Sequence, residues 1–82
     1  MASTEEIQET VRTLIDEEPT FTDPSRIVTN VVRTGSLFKK KRTWVHLEGT
    51  VPSEEERMKA QELVDGHFRD RVAVKNLLDV AP

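Results

Sequence analysis

The 82-residue chain contains no cysteine, so no disulfide framework supplements its core and neither a cysteine-based zinc site nor a thiol nucleophile can form. Nowhere are there 18 consecutive apolar residues to span a bilayer. The opening "MASTEEIQETV" lacks the basic start and apolar run of a signal peptide. These absences read as a cytoplasmic chain, peripheral to a membrane where it meets one at all. The three glycines, Gly35, Gly49 and Gly66, form no G-x-x-G pair of the kind with which KH-type domains clamp a nucleic-acid backbone. Serine is sparse too: it occurs only at Ser3, Ser25, Ser36 and Ser53, of which Ser3 and Ser53 already have capping duties. No nucleophile, carboxylate pair or cofactor motif emerges, and the chain reads as a non-enzyme without a cofactor.

At this length folding removes about 60 to 65% of the unfolded chain's surface from water, so residues 1–82 make one domain with a small core. The net charge is −3, yet four of the twelve basic residues stand together at Lys39, Lys40, Lys41 and Arg42. Without them eight basic residues face fifteen acidic ones, a balance of −7. An acidic body with one basic spot can meet a polyanion only locally.

Ser3 and Glu6 have capping-box spacing, and Ile7, Val11, Leu14 and Ile15 follow at the period of a helix with one apolar stripe. Pro19 ends that segment. The β-branched run "RIVTNVVRT" reads as a strand with two registers open: Ile27 with Val31, or Val28 with Val32, form the inner row, unless a bulge admits both. In "TWVHLEGTV", Val45, Leu47, Gly49 and Val51 alternate with Trp44, His46, Glu48 and Thr50, as a strand with one buried face requires. Gly49 on the apolar row implies close approach of a helix backbone or a bend.

A second capping-box spacing, Ser53 to Glu56, starts a helix whose inner stripe is Ala60, Leu63 and Val64, extended by His67, with Gly66 as its left-handed stop. The acidic clusters at Asp16 to Glu18 and Glu54 to Glu56 fit helix ends and solvent. "RVAVKNLLDV" gives a third strand with Val72, Val74, Leu78 and Val80 on one row, interrupted by Asn76, an amide expected to bond backbone near a bulge or the second helix. The order αββαβ, a hairpin followed by a βαβ crossover, predicts an α+β fold: a three-stranded mixed sheet with both helices on one face.

The stretch "VHLEGTVPSEEERMKAQELV", with "VKNLLDV" after it, resembles the BON domain, a small bacterial module named for an osmotic-shock protein and nodulation proteins. Val45, Leu47, Gly49, Val51, Ala60, Val74, Asn76, Leu78 and Val80 match its pattern in order. The chain departs from that pattern in carrying "RDRV" where the family turns through a Gly-Val pair, and in a longer, basic hairpin connection. The resemblance implies an αββαβ fold, no catalysis, and binding to phospholipid membranes or other envelope components.

The basic connection, "LFKKKRTW", is the candidate contact. Phe38, Lys39, Lys40, Lys41, Arg42 and Trp44 could meet an anionic membrane, the cations supplying attraction and the rings an interfacial anchor if both protrude. Four cations at about 1 kcal/mol each give a dissociation constant on the order of a millimolar. Two other expectations stand beside this one: a protein-interaction or self-assembly module using a sheet edge or face, and a solvated turn whose lysines discourage edge pairing. A nucleic acid could engage only about four phosphates, and is disfavoured. His46 with Glu48 supplies too few ligands for a metal site.

Overall fold

The computed structural model describes residues 3–35 and 41–81. Helix α1 spans Thr4–Asp16, its first turn closed by the Ser3 hydroxyl, which accepts from the Glu6 amide at 3.2 Å. Ile7, Val11 and Ile15 are buried along it, with Leu14 packed at their margin. Glu17 caps its end before Pro19. A loop carrying Phe21 into the core leads to a 3-10 turn, Pro24–Arg26. Asp23 caps that turn, and the Ser25 hydroxyl donating to it holds its carboxyl below the ordinary value.

Strands β1 (Ile27–Thr34) and β2 (Arg42–Val51) pair antiparallel without a bulge, from Ile27 opposite Gly49 to Thr34 opposite Arg42. The inner row is Ile27, Thr29 and Val31, while Val28 and Val32 face away at 49% and 37% exposure. Only one of the two open registers is therefore used, the one that lays Ile27 beneath the helices.

Helix α2 spans Glu54–Phe68, with the Ser53 hydroxyl accepting from the Glu56 amide at 3.2 Å. The Glu56 side chain does not return to Ser53, as a full capping box would have it. It is only 7% exposed, and its carboxylate accepts from the Thr22 amide at 2.8 Å and the Thr22 hydroxyl at 3.1 Å. This acidic residue is not a solvated helix end: it ties α2 to the loop that leaves α1.

The helix also runs through Gly66. His67 is exposed, and Phe68, one turn beyond Val64, completes the buried stripe of Ala60 and Val64. The reversal falls at Arg69, whose φ of 52° lies in the region that favours glycine. Arg71 closes the freed carbonyls of Phe68 and His67 at 3.3 Å each and lies 5.5 Å over the Phe68 ring. A cation thus meets the negative end of the helix, where its charge is favourable.

The expected third strand is two short strands, β3 (Ala73–Asn76) and β4 (Asp79–Val80), both parallel to β2. Their register is common: Trp44 faces Ala73 and Thr50 faces Asp79. The break at Leu77 and Leu78 lies beside Gly49, whose φ is 113°. Asn76 spans the gap, donating to the Arg57 carbonyl at 2.9 Å and the Gln61 side chain at 3.3 Å and accepting from the Leu78 amide at 3.2 Å. The expected backbone partners of this amide are both present. The architecture is α+β, with two helices against one face of a mixed sheet in which β2 lies between β1 and the β3/β4 edge.

A Cβ on Gly49 would stand 2.0 Å from the Arg26 carbonyl oxygen. The close neighbour is the 3-10 turn rather than a helix. Gly49→Ala should cost about 3 to 5 kcal/mol, from this clash and the positive φ together, read as a large drop in urea midpoint. Glu56→Ala should cost about 2 to 3 kcal/mol because it strands the Thr22 amide. Glu56→Gln should cost much less, since an amide can accept from that N–H and donate to the hydroxyl; equal losses for the two variants would refute the clamp.

Candidate functional site

Because β3 begins at Ala73, opposite Trp44, the β1/β2 pairs nearer the hairpin end have only each other among the described residues. Arg33 opposite Thr43 and Thr34 opposite Arg42 form a two-stranded ribbon beyond the three-stranded part, with the Arg33 Nε donating to the Thr43 hydroxyl at 3.3 Å. Of the residues that sequence reasoning nominated, Phe38, Lys39 and Lys40 lie outside the described residues. Lys41 and Arg42 are exposed at the base of the connection, Arg42 being already the first residue of β2.

Trp44 stands elsewhere than at a protruding tip. Val45 and Leu47 are buried toward the helices, so alternation sends Trp44, His46 and Glu48 to the opposite, outer face, where all three are half-buried. Trp44 lies between Val32 of β1 and Ala73 of β3 in the sheet ladder, and the Arg42 guanidinium sits 5.9 Å from its ring centre. An arginine over an indole face is attracted by the ring's negative quadrupole. Trp44, Val32 and Arg42 therefore form one cluster of mixed apolar and cationic surface at the root of the ribbon.

The outer face continues away from that cluster through Asn30, His46 and Lys75 to Val28 and Glu48. The Asn30 amide donates to the Glu48 carboxylate, which occupies the acidic member of the His-x-Glu pair within the sheet. No group of three histidine, aspartate or glutamate side chains able to share a metal ion occurs among the described residues. Leu77, 45% exposed, adds apolar surface near the β3/β4 break. Both helices lie on the other side, so this face carries no covering layer among the described residues.

Charge is divided along the molecule. Arg33, Lys41 and Arg42 gather at the ribbon, continuing the run that begins at Lys39. The acidic residues Glu5, Glu6 and Glu9 lie on the first turns of α1, and Glu54 and Glu55 at the start of α2. Sequence reasoning found the cations but missed Val32 as their apolar neighbour, because the register of β1 was open.

Neither the protein-family models nor the curated proteins contain a match to this chain. No helix among the described residues is long and apolar enough to cross a membrane.

Removing the Arg42 guanidinium should uncover the indole while disturbing little else. Arg42→Ala is expected to lower stability by no more than about 1 kcal/mol and to raise acrylamide quenching of Trp44, the single tryptophan. Unchanged quenching would mean that the cation does not cover the ring in solution.

Proposed function

We propose that this protein is a non-enzymatic, BON-like binding module that associates peripherally with an anionic phospholipid surface through the ribbon end of its sheet. The observation that carries the reading is the Arg42–Trp44–Val32 cluster: a cation stacked on an indole beside an exposed valine, with Lys41 adjacent. Interfacial sites combine these chemistries, since aromatic rings favour the headgroup zone while cations are drawn to the negative surface potential. Trp44 joins the contact from the root of the ribbon and the neighbouring outer face, while Phe38, the second ring, lies outside the described residues. The acidic helices then point away from the bilayer, which avoids like-charge repulsion.

Attraction of this size is weak. Lys39, Lys40, Lys41 and Arg42 together supply about 4 kcal/mol, to which the partial burial of Trp44 and Val32 adds. Occupancy would accordingly need millimolar accessible lipid or a second attachment.

Co-sedimentation with phosphatidylserine/phosphatidylcholine vesicles should retain the protein at low salt and release it as salt rises, with a blue shift of Trp44 emission. Pure phosphatidylcholine should retain none. Serine at positions 39 to 42 should abolish retention while lowering stability by no more than about 1 kcal/mol, the share of Arg42, and Val32→Asp should weaken it at constant charge on the basic run. Retention of the serine variant at the wild-type level would defeat the reading.

A further inference from the structure

The far end of β1 offers a different surface. Among the described residues β1 pairs only with β2, so its other edge presents unpaired backbone groups. Natural edge strands are commonly blunted by lysine, proline, bulges or shortness. This one has eight residues, no proline, no bulge and one charge, Arg33, near the hairpin end. Beside its first half, α1 forms the wall of an open cleft of ≈ 530 Å³ lined by Glu5, Gln8, Glu9, Arg12, Val28 and Thr29.

Two features of the cleft point to an occupant. Thr29 is 6% exposed and its Oγ1 has no hydrogen-bond partner among the described residues, an unusual condition for a buried hydroxyl. On the wall, Arg12 is engaged by Asp16 at 3.5 Å, whereas Glu5 and Glu9 have no ion-pair or hydrogen-bond partner among the described residues. These two carboxylates are one helical turn apart, a rise of about 6 Å. Alternate residues of an extended strand are separated by about 6.6 Å. A strand laid along the β1 edge therefore repeats its α1-facing side chains at the spacing of the two glutamates.

We propose that the cleft between α1 and the free edge of β1 binds an extended basic segment of a protein partner by strand addition, reading a Lys-x-Lys or Arg-x-Arg pattern with Glu5 and Glu9. Backbone bonds to β1 would supply the general attraction, and the intervening residues, on the outer side next to Val28, would be β-branched or apolar. A second copy of this chain is a poor occupant. Its β1 brings a single arginine, and pairing two β1 edges sets one acidic α1 wall against another. The site also lies apart from the ribbon: Val28 and Thr29 are near the start of β1, and Arg42 pairs with Thr34 at its end. The inference therefore does not rest on lipid binding.

The test is an amide NMR titration of the full chain with an acetylated octapeptide alternating lysine and valine. Shifts confined to Val28–Val32 and to the first half of α1, weakening with salt, are expected. The same peptide with glutamate for lysine should give none. Glu5→Gln with Glu9→Gln should weaken binding about fivefold, the scale of two exposed ion pairs, and leave vesicle retention unchanged. A lysine/valine peptide N-methylated at every amide has no donor on either edge, cannot form the ladder and should fail on the wild-type protein, so no folding defect can mimic the result. No shifts at millimolar peptide, equal response to the glutamate peptide, or full binding of the N-methylated peptide would each overturn the proposal.

Discussion

The contact between the Gly49 backbone and the Arg26 carbonyl governs more of this small fold than any single side chain. The 3-10 turn Pro24–Arg26 delivers the chain to β1 directly against β2, close enough that only a hydrogen on the Gly49 Cα is tolerated. That approach fixes Ile27 opposite Gly49, and with it the uninterrupted register of the hairpin. The same residue has a positive φ, and beside it the partner edge breaks into β3 and β4 with their common register intact. Asn76 then satisfies the amide that the break releases and holds the edge to α2. One position without a Cβ thus couples the chain's entry into the sheet, the choice of inner row and the anchoring of the second helix.

What the sequence makes legible follows from strong local periods and local caps. The serine caps of both helices, the Ile7, Val11, Ile15 stripe and the alternation from Val45 to Val51 depend on near neighbours in the chain, and each stands where its pattern puts it. The elements that escape the sequence are decided by distant partners. Glu56 reads as one of three solvated glutamates at a helix start until Thr22, 34 residues away, arrives to take its carboxylate. Gly66 reads as a stop, yet the burial of Phe68 outweighs the local cost of glycine in a helix, and the reversal passes to Arg69. Both β1 registers looked equivalent because Val, Ile and Thr occupy either face with similar propensity; the choice belongs to the core.

The candidate site is legible to the same partial degree. A run of four cations is visible in any reading of composition, and so is the tryptophan beside it. Their relation is not, because it depends on which strand residues share a face. With Arg42 and Trp44 two residues apart in β2, the pleat puts both on the outer side, and Val32 joins them only through the cross-strand register. The aromatic ring therefore belongs to the sheet surface, and its exposure is set by β1 and β3 rather than by a loop.

A two-layer fold of this kind leaves three kinds of surface: the polar backs of the helices, an uncovered sheet face and the sheet edges. The sheet face carries scattered valine and leucine around a half-buried tryptophan, with its cations at the ribbon end. The β1 edge carries backbone unpaired among the described residues, beside carboxylates. Opposite charges at these two places discriminate between partners, since an anionic surface that attracts the ribbon is repelled from the cleft, and a basic strand behaves in reverse. The two proposed contacts would therefore not compete on a domain of this size, and two weak attachments held together bind more firmly than either alone. The attraction proposed for the ribbon, about millimolar by itself, would be of the strength at which such a second attachment decides whether the protein is bound.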